Sequence, residues 1–226
     1  MFEKISHKVS MNIEEEVLAI LKRTGAVITD SHIVGTSGRH MAIYINKDAI
    51  YPHTLETFNL CRLFAEKVKA FDVDVVVGPV IGGVILSQLV AYHLSSMKNK
   101  DILGLYAEKT PEGGMTLISR RNYHKLVAGK KVLVVEDITN TGGSAQKTVE
   151  AVKEVGGSVI AVAAIANRNP ETVTAEFLGA PFYPLCIFKA ENFSEEECPL
   201  CKTGVPINIE VGHGKKYLEE KSKKLA

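Results

Sequence analysis

The sequence predicts an α/β fold: a doubly wound, mainly parallel sheet with a small N-terminal addition. Three observations predict it. Short runs of β-branched and apolar residues alternate with stretches of helical periodicity, the order that builds parallel strands with crossover helices. Two of these runs end in glycine-bearing turns that open directly into a helical pattern, at the strand ends where such sheets bind ligands. The 226 residues show no internal repeat and no low-complexity linker, so the reading is one domain over 1–226.

Asn12 followed by Glu15 reads as an N-cap with its reciprocal carboxylate. Ile13, Val17, Leu18, Ile20 and Leu21 make a helical stripe, and Gly25 is placed to stop it. Residues 30–39 are turn-rich, and 41–46 read as a strand. Pro52 opens a long helix whose apolar face carries Leu55, Phe58, Cys61, Phe64, Ala65 and Val68. Residues 73–77 read as a buried strand that ends at Gly78-Pro79-Val80-Ile81-Gly82-Gly83, with a helix following to about His93. Residues 102–107 form a third strand. The stretch 110–121 is polar and glycine-bearing, too irregular for a core element, and is a candidate lid. Residues 130–135, 158–166 and 182–188 complete the strands, and a helix with Ala145, Val149, Val152 and Val155 on one face follows the first of these. The tail, about 191–226, differs in character: a cysteine pair, a Gly/Pro/Ile stretch, then a Lys- and Glu-rich run that reads as a solvated helix or a frayed end.

The formal net charge is +1, which gives no bulk electrostatic case for nucleic acid or a membrane surface. No apolar run approaches the length of a membrane span, and the first residues lack the apolar stretch of a signal peptide. A cytoplasmic location is the default expectation, with the four cysteines reduced.

The most informative stretch is Val132-Leu133-Val134-Val135-Glu136-Asp137-Ile138-Thr139-Asn140-Thr141-Gly142-Gly143-Ser144. A buried strand ends in paired acids, and a polar turn with paired glycines then opens a helix. Such a turn offers backbone N–H groups and the positive end of the helix dipole to a phosphate. No Gly-Lys-Ser or Gly-Lys-Thr is present, so this is not a nucleoside-triphosphate loop. Two carboxylates just before a phosphate cradle suit the hydroxyls of a sugar that bears the phosphate. The turn at 78–83 is a second plausible anion site.

This stretch resembles the phosphoribosyl-pyrophosphate (PRPP) motif of the type I phosphoribosyltransferases, and further segments resemble orotate phosphoribosyltransferase. Leu21-Lys22-Arg23-Thr24-Gly25-Ala26-Val27 and Thr36-Ser37-Gly38-Arg39 are similar to that family's base-side hood, here about 1–50. Gly78-Pro79-Val80-Ile81-Gly82-Gly83 resembles its pyrophosphate loop. Tyr106-Ala107-Glu108-Lys109-Thr110-Pro111-Glu112-Gly113-Gly114-Met115-Thr116-Leu117 resembles its flexible catalytic loop. Asn167-Arg168 ends a strand where the family places an arginine that contacts the orotate carboxylate. Asn140 stands where the family usually has a threonine, and the tail after about Glu191 is unmatched.

The resemblance implies the type I phosphoribosyltransferase fold and transfer of the phosphoribosyl group from PRPP to orotate, in pyrimidine nucleotide synthesis. Transfer to another base, such as a purine, and a non-catalytic PRPP-binding regulator are the alternatives. It also implies Mg2+ and a homodimer. Glu136, Asp137 and Lys109 are the implied catalytic residues. PRPP would be bound by Glu136, Asp137, Ile138, Thr139, Asn140, Thr141, Gly142, Gly143 and Ser144, with Ile81, Gly82, Lys109 and Arg120 or Arg121 on the pyrophosphate side. Asn140, Arg168 and Tyr44 would form the base side. The basic residues have a plainer reading as surface charges or structural ion pairs, and Tyr44 one as core.

Cys198-Pro199-Leu200-Cys201 is a single CxxC, two ligands short of a zinc tetrad. Cys186 and His213 are the nearby candidates to complete one; a redox pair and a plain turn are the other readings, the plain turn being favoured. His7, His32, His40, His53, His93 and His124 show no ligand spacing and read as surface or structural.

Overall fold

A computed structural model describes residues 12–35, 37–118, 121–189 and 191–225. The chain opens with α1 (Ile13–Arg23), capped by Asn12: its side chain accepts from the Glu15 N–H while the Glu15 carboxylate accepts from the Asn12 N–H. Gly25 follows at φ +67°, the left-handed conformation that ends a helix. Four two-residue strands then form two small antiparallel pairs. β1 (Val27–Ile28) pairs with β4 (Tyr44–Ile45), and β2 (Ile33–Val34) with β3 (His40–Met41). The single strand expected over 41–46 is therefore two strands, because its halves bond to different partners.

The main sheet has six strands in the order β10-β9-β8-β5-β6-β7. In chain order the elements are α2 (Thr54–Val68), β5 (Val75–Pro79), α3 (Gly82–Lys98), β6 (Leu103–Lys109), β7 (Met115–Thr116), α4 (Tyr123–Val127), β8 (Lys131–Thr139), α5 (Gly143–Glu154), β9 (Ser158–Asn167), α6 (Ala175–Leu178) and β10 (Phe182–Ile187). All pairings are parallel except β6 with β7. Side chains alternate across the sheet: Leu133 and Val135 of β8 join the core under α1, α2 and α3, whereas Val132 and Val134 join the core under α5. Burial on both faces is what makes these strands read as continuous apolar runs.

Two expectations need correction. On α2, Cys61, Phe64, Ala65 and Val68 are buried as expected, but Leu55 is 78% exposed and Phe58 37%. Residues 110–118 carry regular structure: β7 folds back on β6 to make a hairpin, and Met115 and Leu117 are buried. Met115 and Leu117 turn inward while Ile118 is exposed, and Gly113 and Gly114 form the tip.

The tail wraps back over the hood. It carries α7 (Pro199–Lys202) and α8 (Gly214–Leu225) and bridges His32 through Ile207 and His40 through Phe193. No helix among the described residues is long and apolar enough to cross a membrane.

Candidate functional site

A cavity of about 660 Å³ opens at the carboxyl ends of β5 and β8, within the usual range for a small-molecule site. The sheet dictates its place: two neighbouring parallel strands end together, and each feeds a glycine turn and a helix. At the first turn, a Cβ on Gly78 would lie 2.5 Å from the Gly83 carbonyl oxygen. The two glycines let the loop fold tightly on itself before α3. The peptide bond between Val80 and Ile81 is cis. At Gly82 a Cβ would collide with the Asp137 carboxylate and the Tyr51 hydroxyl. The glycine thus allows the two loops to meet.

At the second turn, β8 runs through the acids and ends at Thr139. Glu136 and Asp137 are buried, and both line the cavity. The Asp137 N–H donates to Glu136 Oε1 at 3.0 Å, and the Ile138 N–H donates to Asp137 Oδ1 at 2.7 Å. Burial, with the neighbouring Asp137 charge adding to it, pushes the Glu136 carboxyl up to about 8. Lys47 Nζ donates to Asp137 Oδ2 at 2.8 Å, and the Tyr51 hydroxyl donates to the same oxygen at 3.2 Å. Burial lowers the Lys47 affinity for its proton, but the Asp137 charge and hydrogen bond outweigh that and raise it. Burial beside Asp137 also raises the Tyr51 phenol.

Beyond the acids, Gly142 sits at φ +74° against the Phe177 ring and α5 begins at Gly143. Asn140, Thr141 and Ser144 are exposed to the cavity. Thr139 lines the cavity too, while its buried hydroxyl donates to Asn167 Oδ1 at 3.1 Å and braces the strand end.

Tyr44 and Arg168 meet on the opposite wall. The guanidinium carbon lies 5.7 Å from the Tyr44 ring centroid, and Nη2 is 3.1 Å from Met41 Sδ. Arg168 Nε is buried without a hydrogen-bond partner, and burial lowers the guanidinium's proton affinity. No carboxylate among the described residues pairs with it.

The sequence-derived candidates at 136–144, with Ile81, Gly82, Lys109, Tyr44 and Arg168, all line this one cavity, and Arg121 does not join them there. Arg120 lies outside the described residues. Arg121 is turned away to an ion pair with Glu108 and stands over the Tyr106 ring. Lys47, Tyr51 and the tail residues 210–212 carry no sequence signal for this site, and His213, read only as a candidate metal ligand, lines the cavity instead. Nothing in the local pattern marks Lys47 or Tyr51, whose contacts with Asp137 close 90 and 86 residues along the chain. The cysteine pair is also differently placed. Cys198 and Cys201 gather with His32 and His40, not with Cys186 or His213.

Residues 46–177 match the family model for a phosphoribosyl transferase domain. Orotate phosphoribosyltransferase of Caldanaerobacter subterraneus subsp. tengcongensis is 35% identical over 196 residues, covering 86% of this chain and 95% of that protein. The protein of the same name from Caldicellulosiruptor bescii is 38% identical over 205 residues, covering 90% and 99%. Among solved structures, Mycobacterium tuberculosis orotate phosphoribosyltransferase in complex with PRPP superposes with a TM-score of 0.56 at 26% identity, over 76% of this chain and 94% of that one.

Proposed function

The chain belongs to the phosphoribosyltransferase family, with orotate phosphoribosyltransferases as relatives, and we propose that it performs their reaction. The 5-phosphoribosyl group of PRPP passes to orotate, giving orotidine 5′-monophosphate and pyrophosphate. The bond from ribose C1 to pyrophosphate breaks, and one from C1 to a ring nitrogen of orotate forms. Positive charge grows on the ribose and negative charge on the leaving group, so useful contacts are those that strengthen as charge develops.

Glu136 and Asp137 hold the ribose hydroxyls and face the growing positive charge. Lys47 and Tyr51 fix the Asp137 carboxylate before the sugar arrives. N–H groups at the start of α5, with Thr141 and Ser144, take the 5′-phosphate, while Ile81, Gly82 and Lys109 face the pyrophosphate. The acid end of the cavity presents hard oxygen donors, which suit magnesium held largely by substrate oxygens and water. When bound, magnesium offsets the charge of the leaving group. A homodimer fits the exposed apolar side chains of α2 and α3, where the Phe58 and Tyr92 rings stand 5.9 Å apart. The whole chain, hood and tail included, works as one domain. Action in the cytoplasm agrees with four free cysteines.

The observation that carries the choice of base is Arg168. Its side chain lines the cavity, and its buried Nε has no hydrogen-bond partner there. A carboxylated base supplies the missing partner; uracil and free purines do not. Leaving the guanidinium unpaired in the filled site would cost roughly 3–5 kcal/mol. The test is turnover of PRPP with orotate, uracil, adenine, hypoxanthine and xanthine. Orotate should be the substrate, and Arg168→Ala should nearly abolish its use. Turnover of a purine with orotate ignored would keep the family and overturn the base.

A further inference from the structure

We infer that His32, His40, Cys198 and Cys201 form a zinc(II) site that pins the tail to the hood. The four side chains come from two segments far apart in the chain, and their ligand atoms all lie within 4.8 Å of one another. Cys198 Sγ and Cys201 Sγ are each 3.6 Å from His32 Nε2, and Cys201 Sγ is 3.4 Å from His40 Nδ1. A tetrahedron with ordinary zinc–nitrogen and zinc–sulfur bonds has N···S edges of about 3.5 Å. The His32 Nε2 to His40 Nδ1 distance is 2.7 Å, a hydrogen bond. Zinc would replace the shared proton and spread these nitrogens to about 3.3 Å.

The surroundings select the ligand atoms. His32 Nδ1 lies 2.7 Å from the Val205 carbonyl oxygen, to which it can only donate, so Nε2 keeps its lone pair for a metal. His40 offers Nδ1, the ring nitrogen that lies 2.7 Å from His32 Nε2 and 3.4 Å from Cys201 Sγ. His32, His40 and Cys198 are buried, which gives the closed character of a structural site. Two thiolates and two imidazoles in tetrahedral reach suit zinc better than hard cations.

The site sits where hood and tail are stitched together. The Asn208 N–H donates to the His32 carbonyl and the His213 N–H to the Val34 carbonyl, both at 2.8 Å. Residues 210–213, between these bonds, form part of the cavity wall. The metal thereby fixes a wall of the cavity; only the relevance of that wall to substrate rests on the function proposed above.

The test needs no activity. Full-length protein, purified without chelator or a metal-affinity step, should carry about one zinc per chain by mass spectrometry. Cobalt(II) exchanged into it should give thiolate charge-transfer bands and the intense visible bands of a tetrahedral centre. Cys198→Ser with Cys201→Ser should lose the metal, and Cys186→Ser should keep it. Stripping the metal should speed amide exchange at Asn208 and His213 while leaving β8 and β9 unchanged. Protein that holds no zinc as purified and takes up neither zinc nor cobalt would overturn the site, even if orotate is turned over. Metal binding with unchanged exchange at Asn208 and His213 would overturn the pinning.

Discussion

Burial of Glu136 beside Asp137 gives the fold a pH dependence with a definite sign. The carboxyl is raised from 4.5 to about 8 in the folded chain. Below the lower value both folded and unfolded chains hold the proton, and the group is neutral to stability. As pH rises, the unfolded chain releases its proton first, so the folded state loses stability until its own carboxyl ionises. Glu136→Gln keeps the acceptor for the Asp137 N–H and removes the titration. Its melting temperature relative to wild type should therefore be higher at pH 8 than at pH 5; an equal difference at both would show that Glu136 is not so perturbed. Activity should move the other way. Asp137→Asn, which keeps the shape but weakens the hold on developing charge, should lower kcat/KM by about 10²-fold or more, and an unchanged value would exclude the ribose role. The acids were legible in sequence because strand, acids, glycines and helix are contiguous. Lys47 and Tyr51 were not, since a contact 90 or 86 residues away leaves no local pattern.

Among elements, the β6–β7 hairpin shows where sequence reading stops. Polar residues and glycines made 110–121 look like a lid throughout, yet Met115 and Leu117 are buried and β7 pairs with β6 in register. Two apolar side chains in a polar context carry little periodicity, and a two-residue strand carries none. The strands of the main sheet were legible for the opposite reason: burial on both faces demands long apolar runs. The hairpin divides into a held base and a free tip, and only the tip should move. The amide of Thr116, paired with Glu108, should exchange slowly and that of Glu112 fast; uniform fast exchange would restore the open loop. Lys109, the last residue of β6 before the tip, should affect kcat more than PRPP affinity when replaced by alanine. A pure KM effect would place it in ground-state binding instead.

For the whole molecule, the hood and the outer face of α2 raise questions of assembly. Leu55 and Phe58 share the helical face expected for the core but lie beyond the edge of the packed layer. Periodicity finds an apolar face without saying whether the chain itself or a second copy covers it. A second copy predicts a dimer by light scattering, and Leu55→Glu with Phe58→Glu should shift it to monomer. Wild-type monomer at working concentration would leave the face without that role. The alignment of the tail with the hood was likewise invisible, since His32 and Cys198 are 166 residues apart.

That separation fixes an order of events during synthesis. The hood emerges from the ribosome first, and its strand pairs bury little on their own. The sheet and both glycine loops can form as residues up to about 187 appear. The cavity wall at 210–213, and the partners of His32 and His40, come last. A nascent chain therefore has its phosphate loop before it has an enclosed site, and His32 and His40 wait, close in sequence but unpaired with the tail, until Cys198 and Cys201 have been made.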